Sequence, residues 1–100
     1  MTTQLVLDTK TGVGWYTREG WAAVKGSALD PERFETSYEE WIAMAEQALA
    51  DMRRNGIWPI QVKVDPERLR KWCERLGRQN DAAARSQFVV DEMRSHGLPL

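Results

Sequence analysis

The chain of 100 residues holds one cysteine, Cys73, and one histidine, His96, so nucleophilic and metal chemistry would depend on very few side chains. Cys73 follows Trp72 on the apolar side of a predicted helix, which is typical of a core residue rather than a reactive thiolate. His96 falls in the last turn of the final predicted helix, where a partial positive charge suits the helix dipole. Neither residue has an assignable catalytic partner.

Acid–base catalysis needs carboxylates that converge on one point, and the spacing of Glu39, Glu40 and Glu46 defines no such point. The sequence lacks a dinucleotide-binding glycine motif, a phosphate-binding loop and a zinc-protease motif. A single cysteine excludes an internal disulfide and, with a single histidine, a structural zinc site. We therefore expect a protein that is not an enzyme and has no cofactor and no metal site.

Five tryptophans are many for a chain of this length. Trp41 and Trp72 fall in apolar helical stripes and are expected in the core. Trp15, Trp21 and Trp58 lie at the edges of predicted elements, each next to a glycine or a proline. These three either cover the core from outside or anchor a partner, because exposed tryptophans are common hot spots of interfaces. They are the candidate partner-binding residues.

Charge is balanced overall, with 14 basic and 15 acidic residues, but it is unevenly distributed. Residues 28–51 hold seven acidic side chains and one arginine, whereas residues 53–85 hold nine basic and four acidic ones. This asymmetry marks a partner surface, or two halves that dock on each other, or the mixed surface charge of an ordinary small domain. The balance excludes a polycation and a disordered polyampholyte.

The hydrophobic patterning predicts a single small α+β domain over residues 1–100, mostly helical, with four or so helices and one or two short strands. Helix starts are indicated by capping side chains, which are Thr17, Ser37, Asp65 and either Asn80 or Asp81. Helix ends are indicated by glycines, which are Gly26, Gly56, Gly77 and Gly97. Residues 4–7 are predicted to form a strand, residues 8–12 a turn, and Asp30-Pro31 the start of one helical turn.

Apolar side chains at spacings of three and four mark the core side of the predicted helices. The long helix after Ser37 has the clearest stripe, and we expect it to pack on the two C-terminal helices. Five large side chains should then be buried in mutual contact, namely Trp41, Leu49, Leu69, Trp72 and Phe88. Arg85 lies between apolar neighbours on the last helix, so we expect it to be half-buried with its charged head paired.

Residues 60–64 alternate between apolar and polar side chains, which predicts a short strand. Pro59 has no backbone N–H, so the strand should start after it or lie at a sheet edge. In a monomer this strand would pair with residues 4–7 or remain an edge. In a dimer it could pair with its own counterpart.

The segment Ile60-Gln61-Val62-Lys63-Val64-Asp65-Pro66-Glu67-Arg68-Leu69 resembles the start of a ribbon-helix-helix module. A short alternating strand runs into a Pro-Glu helix start, and a second helix follows Gly77, so the resemblance extends over residues 60–96. Members of that family pair two strands across a dimer and insert them into the DNA major groove. The resemblance implies that Gln61 and Lys63 point outward and read bases, whereas Ile60, Val62 and Val64 face the core.

Basic residues on the helix after this strand could contact nucleic-acid phosphates. Three share one helix face and the fourth follows just after its end; they are Arg68, Lys71, Arg75 and Arg78. The alternative is a solvated face with pairs between Glu67 and Lys71 and between Glu74 and Arg78, each contributing only about 0–1 kcal/mol.

These observations predict an interaction module or small regulator that binds another macromolecule through Trp-rich and charged surfaces. The expected partner is a protein or a second copy of the chain, with a dimeric DNA-binding regulator of ribbon-helix-helix type as the alternative. The sequence has no run of roughly 18 apolar residues and no apolar signal-peptide core, so we expect no membrane partner. A single cysteine fits a reducing compartment, and the predicted location is the cytoplasm.

Overall fold

The computed structural model describes residues 10–96, and over this range it confirms a small, mostly helical α+β fold. The elements are β1 (Lys10–Trp15), α1 (Arg18–Gly26), a 3-10 turn (Pro31–Arg33), α2 (Tyr38–Arg54), β2 (Trp58–Lys63), α3 (Pro66–Leu76) and α4 (Ala82–Ser95). The strand predicted over residues 4–7 lies outside the described residues. The turn predicted over residues 8–12 is wrong from Lys10 onward, because that part of the chain belongs to β1.

The helix boundaries follow the capping chemistry predicted from the sequence. The side chains that accept hydrogen bonds from backbone N–H groups in the first turn are those of Thr17, Ser37, Asp65 and Asp81. Gly77 ends α3 in the left-handed conformation, at φ 65°, which a glycine adopts without a steric penalty. Gly56 has a φ of 78° in the turn between α2 and β2. The predicted turn after Asp30 is the 3-10 turn.

The two strands are parallel, with Lys10 opposite Trp58 and Trp15 opposite Lys63. β2 thus begins at Trp58, two residues before the predicted start, and pairs with residues 10–15 of the same chain. The N–H of Val64 donates to the carbonyl of Trp15 at 2.9 Å. Backbone groups alternate in direction along a strand, so Pro59 faces the open edge of β2, where its missing N–H removes no ladder bond.

Helix α4 packs on β1 because two glycines allow a close approach. A Cβ atom at Gly12 would overlap the sulfur of Met93 and lie 3.0 Å from Val89 Cγ1. A Cβ atom at Gly14 would lie 3.3 Å from Val89 Cγ2. Since Gly14 meets Val89 and Gly12 meets Met93, α4 runs antiparallel to β1. Gly12, which suggested a turn, instead serves this packing together with Gly14.

A single cluster of buried side chains joins the four helices to the sheet. All five predicted core residues are buried, and four of them, Trp41, Leu69, Trp72 and Phe88, belong to this cluster. Leu49 is buried outside it, about 12 Å beyond Trp41 along α2. The predicted mutual contact is therefore wrong for Leu49. The rings of Trp72 and Phe88, 5.8 Å apart and edge to face, join α3 to α4.

Arg85 is paired and largely buried, as its apolar neighbours predicted. Its guanidinium donates to both carboxylate oxygens of Asp30, at 2.9 and 3.1 Å, and to Oδ1 of Asn80 at 2.9 Å. It also lies over the ring of Phe34, 4.6 Å from its centre. Asp30 accepts a further bond from the N–H of Ala82. The pair thus ties the 3-10 turn to the start of α4.

Candidate interaction surface

The three candidate tryptophans occupy very different environments. Trp58 is 67% exposed at the start of β2, whereas Trp21 is only 7% exposed. Trp21 packs edge to face on Phe34, at 6.4 Å between ring centres, so its ring is not available as a surface anchor. Trp15 is half-buried against Trp41, with ring centres 5.1 Å apart. We therefore assign Trp21 and Trp15 to the core and its margin and keep Trp58 as the anchor candidate.

The position of Trp58 follows from the alternation of side chains in β2. Its side chain is on the same face as those of Ile60 and Val62, the face on which α4 lies. α4 ends at Ser95, only two residues after its contact with Gly12, which is opposite Ile60. Trp58 therefore lies at the end of the sheet where α4 stops, and α4 leaves it uncovered.

A groove of about 450 Å³ runs beside β2, between this strand and the end of α4. The polar residues that line it are Gln61, Lys63, Asp65, Arg68, Glu92 and His96. Gln61 and Lys63 are exposed while Val62 and Val64 are buried, which agrees with the directions that the resemblance implied for these four side chains. At about 3.3 Å per residue, the groove begins about 10 Å from Trp58 along the strand. We call Trp58 and this groove the β2 surface.

A buried carboxylate controls the charge of the groove. Glu92 is only 8% exposed and accepts two bonds from Arg68, at 3.2 Å from Nε and 2.8 Å from Nη2. These hydrogen bonds raise the pKa of Arg68. Nε2 of His96 lies 3.8 Å from Oε1 of the same carboxylate. Both signs of charge are thus present in the groove, and Arg68 is already engaged.

The basic residues of α3 are partly taken up by internal contacts. Arg70, which lies between Glu67 and Glu74 on the helix, binds both carboxylates, the second at 2.6 Å. This arrangement replaces the predicted pairs of those acids with Lys71 and Arg78, since Arg70 lies three residues from Glu67 and four from Glu74, within reach of both. Arg78 stacks over the ring of Trp72 instead.

Lys71 and Arg75 stay exposed on the wall of a groove of about 300 Å³ between α3 and α4. That groove is lined on the α4 side by the carboxylates of Asp91 and Glu92. The positive stripe predicted from α3 therefore lies beside negative charge from α4. Such a surface has a weaker attraction for phosphate than the stripe alone would have.

Cys73 is buried, and this burial raises the pKa of its thiol, which disfavours the thiolate. Within residues 10–96, no group of three or more His, Cys, Asp or Glu side chains could hold a metal ion. No helix in the same range is long and apolar enough to cross a lipid bilayer.

Comparison with known protein families, curated proteins and solved structures finds no match for this chain. Function is therefore inferred from the surface of the molecule. Sequence reasoning found Trp58, Gln61 and Lys63, but it missed the link between Arg68 and Glu92, whose positions are 24 residues apart. An acidic residue among apolar neighbours on α4 was the available indication of a buried ion pair.

Proposed function

We propose that this protein is a protein-binding module without enzymatic activity, and that the β2 surface binds the partner. The observation that carries the proposal is the 67% exposure of Trp58 at the start of a strand whose outer edge is unpaired among the described residues. A large aromatic side chain held in water loses the free energy that burial would provide, and a partner can supply that burial. The neighbouring groove offers polar groups of both signs, as the rim of a protein interface does.

The charge of the β2 surface favours a protein over a nucleic acid as the partner. Arg68 is neutralised by Glu92, and the carboxylate of Asp65 lines the same groove. Phosphate binding depends on cationic side chains that are free to displace counterions. The ribbon-helix-helix alternative also requires pairing of two β2 strands across a dimer, and Pro59 and Lys63 are the kinds of residue that oppose pairing at an edge.

A selection from displayed random dodecapeptides on the immobilised full-length protein would test this proposal. We expect enriched peptides whose affinity, measured by calorimetry, falls about 30-fold in Trp58→Ala, since a hot-spot aromatic contributes about 2 kcal/mol. The matched control is Leu76→Ala, because Leu76 is also a large exposed apolar residue but lies at the end of α3. This control should leave the affinity unchanged.

Peptides that bind the wild type and Trp58→Ala equally well, or a selection that yields no binder, would contradict the proposal. A titration with mixed-sequence duplex DNA at low salt addresses the alternative. We expect no gel shift at tens of micromolar protein, a range in which non-specific binding by a DNA-binding module is visible. A shift that is weakened by Lys63→Ala and Lys71→Ala would favour the DNA-binding regulator instead.

A further inference from the structure

The outer edge of β1 offers unpaired backbone groups. Because the carbonyl of Trp15 bonds to Val64 and groups alternate along a strand, Gly12 and Gly14 direct their N–H and C=O groups away from β2. No described residue forms a backbone hydrogen bond with these groups on that side. An edge of this kind is the hydrogen-bonding surface that another extended chain completes.

A groove of about 600 Å³ runs beside this edge, and its far wall is one face of α4. Ala82, Ser86 and Val90 follow one another at intervals of four residues, so they form one row on the helix. All three remain at least partly exposed. An extended chain beside β1 would point alternate side chains at this row, which has room for small ones.

A phenol also lines the groove. Tyr16 is only 9% exposed, and within residues 10–96 its hydroxyl forms no hydrogen bond and is not a sealed, unpartnered atom, so it is left to water or a ligand. Burial raises the pKa of this phenol, so the hydroxyl keeps its proton and can donate. A carbonyl oxygen of a bound chain would satisfy that donor.

The charge of the groove restricts which chain fits. Among the described residues that line it, Arg85 alone is charged, and Asp30 already neutralises it. A charged side chain entering the groove would therefore lose its hydration without gaining an opposite charge. The two sheet edges differ as well. The outward-facing positions of β2 include Pro59, which cannot donate to a ladder, whereas those of β1 are Lys10, Gly12 and Gly14, and the two glycines do not oppose pairing.

We propose that β1 is a strand-addition site that binds an extended, uncharged segment of a partner protein, with small apolar or hydroxyl side chains directed at α4. The segment becomes the third strand of the sheet, bonded to the backbone of Gly12 and Gly14. This site is separate from the β2 surface and does not depend on it.

The probe is a blocked peptide of alternating valine and threonine, added at millimolar concentration to the ¹⁵N-glycine-labelled full-length protein. We expect the amide exchange of Gly12 and Gly14 to slow at least several-fold on binding, while Gly77 is unaffected. Two N-methylated peptides provide the control. The peptide whose amides are methylated on the edge that faces β1 should no longer slow the exchange. The peptide methylated on its opposite edge should still slow it, since only one edge of the peptide bonds to β1.

Substitutions on α4 test the groove. Ser86→Lys should abolish the protection, whereas Ala83→Lys, on the same helix but outside the groove, should not. Trp58→Ala should leave the slowed exchange of Gly12 and Gly14 unchanged. A failure of the proposal for the β2 surface can therefore be distinguished from a failure of the proposal for β1. The inference would be overturned if no peptide slowed the amide exchange of Gly12 and Gly14. It would also be overturned if the slowing were the same with both methylated peptides and in Ser86→Lys.

The free protein supplies two further outcomes. The amides of Gly12 and Gly14 should exchange rapidly in dilute protein without peptide. Slow exchange there would mean that the chain itself occupies the edge, and slow exchange that grows with protein concentration would mean that a second copy does. Either result would overturn the assignment to a partner segment.

Discussion

Replacing Trp72 with alanine is expected to lower the free energy of unfolding by about 3–5 kcal/mol, which is much of the stability of a domain of this size. The ring is buried between α3 and α4, where it meets Phe88 edge to face. Its Nε1 donates to Oδ2 of Asp91 at 2.9 Å, and this bond lowers the pKa of that carboxyl. Alanine would leave a cavity and remove one of the two side-chain hydrogen bonds to this carboxylate, the other being donated by Gln87.

Urea denaturation followed by circular dichroism measures this loss. Trp58→Ala is the matched control, because the same chemical change at an exposed position should alter the free energy of unfolding by only about 0.5 kcal/mol. Trp72→Phe should fall between the two, since it keeps most of the packing and loses the bond to Asp91. An unchanged melting temperature for Trp72→Ala would contradict this packing of α3 on α4.

The second large effect is expected for Asp30→Asn, which should cost about 3 kcal/mol because it leaves the charge of Arg85 unpaired. The side chains of Arg85 and Asp30 are only 12% and 14% exposed, so water does little to compensate. The hydrogen bonds from Arg85 lower the pKa of Asp30 below its ordinary value. The carboxylate therefore stabilises the fold fully above the unfolded-state pKa, about 3.9, and loses this effect as the pH falls through the lower folded-state pKa.

Melting temperatures measured between neutral pH and about pH 2 test whether the Asp30 carboxylate loses its stabilising effect as the pH falls. The melting temperature of the wild type should fall steeply as the pH is lowered. Asp30→Asn should have a lower melting temperature at neutral pH, and this temperature should fall less as the pH is lowered. Glu39→Gln is the control, because the pair of Glu39 with Arg18 is open to water on both sides. If the melting temperature of Asp30→Asn fell with pH as much as that of the wild type, the pair of Asp30 with Arg85 would not contribute to the pH dependence of stability.

Local patterns were enough to predict most of the helical structure. The caps at Ser37 and Asp65 and the glycine at position 77 act within a few residues of themselves, so the sequence alone reveals them. β1 was missed because residues 8–12, which end at Gly12, have the composition of a turn, and the close approach of α4 that explains this glycine is not visible in the sequence. The pairing of the two strands could not be predicted from the sequence either, since it depends on the path of the chain through α1 and α2.

The candidate site was predictable only in part, for the same reason. The resemblance of this segment to a ribbon strand implied that Gln61 and Lys63 point outward, and both are exposed. The sequence could not distinguish Trp58 from Trp21, because exposure depends on where α4 ends and on how α1 packs on Phe34. The partner of Arg85 lies 55 residues away in sequence, and no local spacing identifies it.

Iodide quenching of tryptophan fluorescence tests directly whether Trp58 is the exposed ring that a partner covers. In the free protein, a quenchable fraction should be present in the wild type and be largely lost in Trp58→Phe, because the other tryptophans are buried or half-buried. Saturation with a selected peptide should remove the same fraction from the wild type. Equal quenching in the wild type and in Trp58→Phe, or quenching of the wild type that the peptide does not change, would mean that Trp58 is not the exposed ring that a partner covers.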